Sequence, residues 1–509
     1  MDNTLSFHPA SFEEFRKLSL QGNVVPVYAE VNADLDTPVS AFLKIRQGRY
    51  SFLLESVEGQ EKIARYSFLG TDPRLIFSSE GGNAVITRRS GSAGERGRRF
   101  KTAGPRGPLD ELKDLMKDFR PVSVPRLPRF CGGLVGYAGY DTVRFLEDLP
   151  DLKREDAGFP DCLFLLADDI LIFDHFRHTI MIVSNVLLPG VDSGRSVKEM
   201  KRLYRQALNR ISALNARLSR SLPSLKKRPS AAGRAVLPSG GASRAEFCRM
   251  VEKAKQYIRD GEIIQVVLSR RMQSGLSGEP FAVYRRLRSI NPSPYMFFLE
   301  LGDISLVGAS PEILVRCEDG LVRTRPIAGT RPRGRDEEED ALNERDLLAD
   351  EKERAEHVML VDLGRNDLGR VSREGSVRVS EFMKVEKYSH VMHLVSEVTG
   401  ALKKGYDAYD VLAACFPAGT VSGSPKIRAM QIIEELERTR RGPYAGCVGY
   451  FSFSGNMDTC ITIRTVFVKD NTAYIQAGAG IVADSVPAKE YAETANKAGA
   501  LLEAITQSR

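Results

Sequence analysis

Two pairs of glutamates stand three residues apart, a spacing at which a helix would place both carboxylates of a pair on one face. Glu353 and Glu356 form the first pair, and Glu490 and Glu493 form the second. Two such helices could hold a hard cation between them, because Mg²⁺ prefers carboxylate oxygens and keeps positions for water and substrate. Taken alone, either pair is also the ordinary solvated charge of a helix surface.

Other stretches could position an anion. The segment F-P-A-G-T-V-S-G-S-P-K, from residue 416, is a glycine-containing turn that leads into a helix at Pro425. A helix N-terminus favours negative charge. Glycines at 478 and 480 would let backbone N–H groups approach a carboxylate, and Arg464 lies on a predicted strand. His393, in S-H-V-M-H-L-V-S, falls in a segment that we interpret as an apolar helix.

Composition excludes several classes of protein. The 509 residues carry a net charge of +7, and 27% of them are charged, which is typical of a globular chain. No apolar run reaches about 18 residues, so no transmembrane helix is expected. The N-terminus lacks the basic and apolar regions of a signal peptide. Seven cysteines without a C-x-x-C pair predict neither a disulfide framework nor a zinc site, and they fit the reducing cytoplasm.

Organisation along the chain predicts two regions. The proline-, glycine- and arginine-containing stretch 220–241 marks a linker, so we divide the chain into an N-terminal region, 1–235, and a C-terminal catalytic region, 236–509. Strands and helices are mixed without strict βαβ order, which predicts an α+β fold with mostly antiparallel sheets and flanking helices. The arginine-rich segment 87–107 is interpreted as an exposed loop, and without interleaved aromatic residues it predicts no nucleic-acid partner.

Taken together, these features resemble the chorismate-utilising enzymes, and most closely the large subunits of anthranilate synthases. The resemblance covers nearly the whole chain and implies that family's sandwich-like core of antiparallel sheets. It rests on motifs that occur in the family's order: G-E-I-I-Q-V-V-L-S, N-P-S-P-Y-M-F-F, A-S-P-E, P-I-A-G-T, E-H-V-M-L-V-D-L-G-R-N-D-L-G-R, P-A-G-T-V-S-G-S-P-K and Q-A-G-A-G-I-V-A-D-S. One motif could match by chance, but a full ordered set could not.

The resemblance implies a Mg²⁺ site beside a chorismate site. Glu356 and Glu493 would bind the metal directly, Glu353 and Glu490 would bind it through water, and the metal would hold the ring carboxylate of chorismate. The implied substrate-binding residues are Gly329, Thr330, Tyr444, Arg464, Gly478, Ala479, Gly480 and Lys497. Because chorismate is a dianion, cations and backbone donors in a closed cavity would offset its charge.

A two-stage lyase reaction is implied as well. Ammonia would attack C2 of the ring while Glu312, as general acid, protonates the departing C4 hydroxyl. Elimination of pyruvate would then make the ring aromatic, with His393 assisting proton movement and Thr420 contacting the substrate. Gln265 stands where isochorismate- and salicylate-forming relatives carry a lysine that activates water, and an amide cannot act as that base.

A second position separates two related activities. Aminodeoxychorismate synthases typically carry lysine in P-I-K-G-T, and here the residue is Ala328. The resemblance therefore implies formation of anthranilate and pyruvate, the first step of tryptophan biosynthesis from chorismate. Aminodeoxychorismate synthase component I, of the folate pathway, remains the alternative enzyme. A non-catalytic binding protein of the same fold is the alternative from a different class.

Partners and regulation follow from the same resemblance. No glutamine-hydrolysing segment is recognisable, so ammonia would come from a partner glutamine amidotransferase subunit, component II, in a cytoplasmic heterotetramer without membrane contact. Free ammonium could also supply it. L-Tryptophan would inhibit at a separate site built by one segment from each region: Leu54, Glu55, Ser56, Pro294, Tyr295 and Met296.

Overall fold

The computed structural model describes residues 5–56, 65–89, 95–152, 157–189, 196–223, 239–388 and 391–508. The helices in these ranges are α1 (Phe12–Leu18), α2 (Pro38–Ile45), α3 (Pro108–Met116), α4 (Val197–Leu218), α5 (Arg244–Arg259), α6 (Pro280–Ile290), α7 (Glu337–Ala349), α8 (Glu351–Gly369), α9 (Ala408–Cys415), α10 (Lys426–Leu436) and α11 (Pro487–Gln507). No helix in these ranges is long and apolar enough to cross a membrane.

The strands in the same ranges are β1 (Phe7–His8), β2 (Val24–Asn32), β3 (Tyr50–Glu55), β4 (Tyr66–Thr71), β5 (Leu75–Glu80), β6 (Asn83–Arg89), β7 (Glu95–Lys101), β8 (Gly133–Ala138), β9 (Cys162–Ala167), β10 (Asp169–Asp174), β11 (Thr179–Leu187), β12 (Gln265–Gly275), β13 (Tyr295–Leu301), β14 (Ile304–Ser310), β15 (Ile313–Glu318), β16 (Leu321–Thr324), β17 (Ile327–Pro332), β18 (Arg378–Lys387), β19 (Val391–Ala401), β20 (Gly423–Ser424), β21 (Cys447–Ser452), β22 (Met457–Ile461), β23 (Thr465–Lys469) and β24 (Thr472–Ile481).

These strands form two large antiparallel sheets. The first has the order β1-β2-β11-β10-β4-β3-β13-β14-β23-β24-β12-β20, and the second has the order β17-β19-β16-β15-β22-β21-β8-β9-β5-β6-β7, with β18 paired to β19. In each sheet a block of N-terminal strands meets a block of C-terminal strands along one seam, β3 with β13 and β8 with β21. The predicted α+β fold with antiparallel sheets is confirmed. The boundary between 235 and 236 lies outside the described residues and stays a prediction.

The first sheet is buried on both faces, which explains its continuous apolar strands. Successive side chains of a strand point to opposite faces. Accordingly, Phe52 and Phe297 pack in the core between the sheets, whereas Leu53 and Phe298 pack beneath the helices on the outer face. Burial of a phenylalanine side chain of this kind contributes about 1.5–3 kcal/mol. The chain therefore forms a sandwich of sheets with flanking helices.

Two local interpretations from the sequence are wrong. The segment around His393 is strand β19, because Met392 and Leu394 are fully buried with a period of two that a helix would not give. Within 87–107, which we interpreted as a loop, residues up to 89 and from 95 pair as β6 and β7. Ala84 is buried opposite Phe100, which packs on the core, and this contact explains the hairpin.

Candidate active site

The four paired glutamates line one cavity of about 550 Å³. Helix α8 begins where the Asp350 side chain accepts the backbone N–H groups of Lys352 and Glu353, and it presents Glu353 and Glu356 to the cavity. Helix α11 presents Glu490 and Glu493 from another wall. The spacing of three residues thus places both members of each pair on one helix face, as predicted.

Negative charge accumulates between these helices. Burial raises the pKa of Glu353, and the neighbouring Glu356 raises it further. Burial likewise raises the pKa of Glu490, with Glu493 acting in the same direction. Each of these two pKa values is therefore raised partly by its helical neighbour, so a cation between the helices would relieve the repulsion.

The donor set fits a hard divalent cation, because all four side chains offer carboxylate oxygens. Protein groups already contact these carboxylates: Gln265 Nε2 donates to Glu356 at 3.2 Å, and Lys497 Nζ lies 2.7 Å from Glu493. Arg331 Nη1 lies 3.6 Å from Glu353. Across the described ranges, no three His, Cys, Asp or Glu side chains are arranged to hold a metal ion as they stand. Metal binding would therefore require these contacts to rearrange.

Strand β24 forms a glycine-lined wall of the cavity. Gly478 and Gly480 face the cavity. A Cβ at position 478 would lie 2.8 Å from Tyr444 Oη, and a Cβ at position 480 would lie 2.5 Å from Gln265 Nε2. Only glycine allows these polar groups to approach the strand so closely. Ala479, between them, is fully buried in the apolar core on the opposite face, so its side chain does not reach the cavity.

Arg464 and Tyr444 bring donors to the same cavity. Arg464 lies in the turn between β22 and β23 with φ of +51°, and burial lowers the pKa of its guanidinium. Among the described residues it forms no ion pair, so the charge is available to an anionic ligand. Burial raises the pKa of Tyr444 to about 12, which keeps its hydroxyl protonated and able to donate.

His393 stands behind the wall formed by Gly329 and Thr330. Its Nδ1 lies 2.9 Å from the Gly329 carbonyl oxygen and 3.0 Å from Thr330 Oγ1. A contact with a carbonyl oxygen requires the proton on Nδ1, which leaves Nε2 as the acceptor nitrogen. Burial lowers the pKa of His393. Because the ordinary histidine pKa, about 6.5, is already below pH 7, the neutral ring is favoured at that pH.

A hydrogen bond with Thr420 joins Glu312 to the large cavity. Thr420 Oγ1 donates to Glu312 Oε1 at 2.7 Å, and Thr420 lines the large cavity, whereas Glu312 lines a smaller one behind it. Burial raises the pKa of Glu312 to about 8, against the opposing effect of Thr420 and Lys497. The carboxyl group is thus protonated at neutral pH, the state that a general acid needs.

We expect activity to depend on this protonation. Since burial raises the pKa of Glu312 to about 8, the proton is held below that pH and lost above it. The kcat/KM of the free enzyme should be level below about pH 8 and then fall about tenfold per pH unit. The measurement is kcat/KM for chorismate at fixed free ammonia across the pH range. A kcat/KM that stays level well above pH 9, about one unit above the pKa of Glu312, would contradict the role of Glu312 as general acid.

Sequence reasoning missed Gln476 as a cavity residue. It lies on β24 two residues before Gly478, so the period of two places it on the same face. Its Nε2 donates to Ser269 Oγ at 2.8 Å, and its Oε1 is buried without a partner among the described residues. The sequence Q-A-G-A-G could have predicted this position, because its first, third and fifth residues lie on the same side of a strand.

A second cavity, of about 90 Å³, lies between the sheets at the seam of β3 and β13. Tyr295 Oη donates to Asp458 at 2.9 Å, and Glu55 accepts a hydrogen bond from Tyr284. Ser56 Oγ is buried without a partner in the described part of the chain. The predicted inhibitor residues all line this cavity: Leu54, Glu55, Ser56, Pro294, Tyr295 and Met296.

Comparison with known proteins identifies the class first. The chain belongs to the chorismate binding enzyme family, which matches residues 51–503. Within that family it groups with proteins named anthranilate synthase component 1. It is 47% identical over 512 residues to that of Acetivibrio thermocellus, covering 99% of both chains. It is 49% identical over 500 residues to that of Aquifex aeolicus, covering 97% of both.

A solved structure agrees with these relatives. Anthranilate synthase component I from Streptococcus pneumoniae superposes with a TM-score of 0.73 at 38% identity, covering 93% of this chain and 99% of that one. The resemblance read from the ordered motifs is therefore confirmed. The comparisons favour anthranilate synthase over the aminodeoxychorismate alternative.

Proposed function

We propose that this chain converts chorismate and ammonia to anthranilate and pyruvate, as the large subunit of an anthranilate synthase. The observation that carries the proposal is the full-length similarity to anthranilate synthase component 1 at 47% and 49% identity. A partner glutamine amidotransferase would supply the ammonia. The reaction opens tryptophan biosynthesis, and we place the protein in the cytoplasm as part of a heterotetramer.

The large cavity suits a dianionic ring of the size of chorismate. Its volume of about 550 Å³ lies within the range of small-molecule sites. Arg464 and Tyr444 would bind carboxylate groups, and the glycine positions of β24 would let the substrate approach the backbone. Glu356 and Glu493 would bind Mg²⁺ directly, and Glu353 and Glu490 would bind it through water. Once bound, that ion would supply positive charge for the ring carboxylate.

The chain's own groups would move the protons. Glu312, protonated and joined to the cavity by the Thr420 hydroxyl, would donate to the departing C4 hydroxyl. His393, with the acceptor nitrogen Nε2, would take part in the proton movement of the second stage. Gln265 Oε1 has no hydrogen-bond partner among the described residues, and an amide offers no base to water, so ammonia would be the nucleophile.

Incubation with chorismate, Mg²⁺ and ammonium tests the proposal directly. Anthranilate is fluorescent, so its appearance reports the complete reaction and supports the assignment. Accumulation of an amino-chorismate that needs a separate lyase would favour the folate-pathway alternative. No turnover would favour a binding protein of the same fold. Ala328, which lines the cavity where an aminodeoxychorismate synthase would carry lysine, favours the first outcome.

L-Tryptophan is proposed as the inhibitor that binds the cavity at the β3–β13 seam. Ser56 Oγ, which has no partner among the described residues, could bond the polar end of the amino acid, and Met296 could adapt to the indole. Because strands of both regions meet at this seam, a ligand there could bias their arrangement and so couple to the active site.

We expect Ser56→Arg to remove tryptophan inhibition while anthranilate formation continues, because the longer side chain fills the small cavity. Ser56→Ala should weaken inhibition about tenfold, the effect of one lost hydrogen bond. Inhibition curves for the parent and both variants provide the measurement. Ser212→Arg, on the exposed face of α4, is the matched control. A parent enzyme indifferent to tryptophan at about 1 mM would contradict the proposal.

A further inference from the structure

The small cavity behind Glu312 belongs to none of the roles assigned so far. It has a volume of about 30 Å³ and lies among β15, β16, α8, α9 and the turn before β20. Its polar lining includes Glu312 and Thr420 on the side of the active site and Asp367 on the other side. The same cavity therefore joins the candidate general acid to a second carboxyl group.

The cavity can hold water. A water molecule needs about 10–15 Å³ of such space and two to four polar partners, so there is room for about two. The carboxyl groups of Glu312 and Asp367 and the hydroxyl of Thr420 supply those partners. Thr324 Oγ1, which donates to the Leu314 carbonyl at 3.2 Å, keeps a lone pair for another hydrogen bond.

Asp367 connects this cavity to solvent. Both of its carboxylate oxygens accept hydrogen bonds from Lys426 Nζ at 2.8 Å. The two side chains retain 16% and 14% of their exposure, so bulk water reaches the pair from outside. Burial raises the pKa of the Asp367 carboxyl, and Lys426 and Arg370 oppose that rise. The thiol of Cys415 on α9 also faces this carboxyl.

Glu312 needs a proton source that the large cavity does not offer during turnover. It is 5% exposed and does not line the large cavity, which substrate would occupy. The groups that face Glu312 are the Thr420 hydroxyl, the backbone N–H of Ile327 and the Lys497 ammonium. The first two have no readily lost proton, and Lys497 contacts Glu493 and the Gly478 carbonyl.

We propose that water in the small cavity returns a proton from Asp367 to Glu312 in each turnover. The proposal rests on the proposed function, in which Glu312 is the acid. The Glu312 O–H bond breaks as the C4 hydroxyl leaves as water, which leaves a carboxylate. The Asp367 carboxylate, paired with Lys426, takes a proton from solvent. A cavity water then gives one proton to the Glu312 carboxylate and takes that proton from Asp367, which is again a carboxylate, so the relay consumes nothing. Asp367 acts as a positioning and relay residue that never touches substrate.

Asp367→Asn tests the relay, because the amide keeps an oxygen for Lys426 but cannot carry the proton. We expect kcat to fall about a hundredfold near pH 8, the lower end for lost proton transfer, with KM for chorismate unchanged. The solvent deuterium isotope effect on kcat should rise, and small carboxylic acids added to the buffer should restore part of the rate. Asp362→Asn, an exposed carboxyl on the same helix, is the matched control and should keep all parent values.

Gly364→Ala tests the water without touching a titratable group. A Cβ at this helical position would lie 3.0 Å from Thr324 Cγ2 and 3.9 Å from Pro326, both of which line the cavity. The methyl group should exclude water and reproduce the loss of kcat and the larger isotope effect, but small acids should not restore the rate. This variant also decides the matter if Asp367→Asn fails to fold.

The outcomes separate the relay from the reaction. If the parent enzyme forms no anthranilate, the proposed function fails and the relay fails with it. If the parent forms anthranilate while the folded variants keep its kcat and isotope effect, the relay alone is overturned. A loss confined to KM in both variants would also overturn it, because proton return follows substrate binding.

Discussion

Glu356→Gln and Glu493→Gln should each lower kcat/KM for chorismate by about a thousandfold, since a bound divalent ion contributes several kcal/mol to such a step. Each change removes one negative charge from the cavity and keeps the size of the side chain. Anthranilate fluorescence at saturating Mg²⁺ measures the loss. Titration with Mg²⁺, followed by thermal stability, should show weaker binding of the ion in each variant, independently of turnover.

Exposed glutamates on the same helices provide the controls for the metal site. Glu351→Gln on α8 and Glu503→Gln on α11 also remove one charge each, but both side chains lie in solvent. These variants should retain parent activity and parent Mg²⁺ dependence. Near-normal turnover in either Glu356→Gln or Glu493→Gln would remove the metal assignment.

Glu312→Gln should lower kcat by about 10²–10⁴-fold, the usual contribution of a general acid. The amide can still accept the hydrogen bond from Thr420, so the wall of the cavity should keep its shape. KM should change little, because Glu312 does not line the large cavity. The fall in kcat/KM above about pH 8 should also vanish, since the group whose pKa is raised is gone.

Glu318→Gln is the matched control for that change. Glu318 ends β15, the strand that begins directly after Glu312, and it pairs with Arg129 away from the cavity. It should keep the parent rate and the parent pH profile. If the kcat/KM of Glu312→Gln still fell above about pH 8, another group would be responsible for that fall, which would contradict the general-acid role of Glu312.

Local sequence patterns were sufficient to predict helices whose bounds depend only on residues close together in the chain. The bounds of helix α4, 197–218, follow from its sequence, because its apolar stripe repeats at helical intervals over six turns. The capping box of Ser243 and Glu246 likewise marks the start of α5. Such signals need no knowledge of distant residues.

Long-range placement explains what the sequence could not show. We placed Arg464 on a predicted strand, but the chain turns at this residue and passes from β22 in one sheet to β23 in the other. Nothing in T-I-R-T indicates that change of sheet, because it depends on where β15 and β14 lie. For the same reason, the sequence did not reveal that Glu312 faces a separate cavity.

The candidate site was predictable only through motifs shared with a family. Spacing alone places Glu353 beside Glu356, but it does not bring α8 and α11 together. The ordered motifs supplied that knowledge, and the structure brings all four glutamates to one cavity. Ala479 was predicted to act through its backbone amide, so the burial of its side chain on the opposite face leaves that prediction untested.

The two seams have a consequence for how the protein could be divided. Six residue pairs join β3 to β13, and six join β8 to β21, so each half of the chain would expose two unpaired inner strands if cut in the range 224–238. Such bare edges invite association with other chains. Halves expressed separately should therefore be poorly soluble, yet when co-expressed they should reassemble into an active enzyme by pairing along both seams.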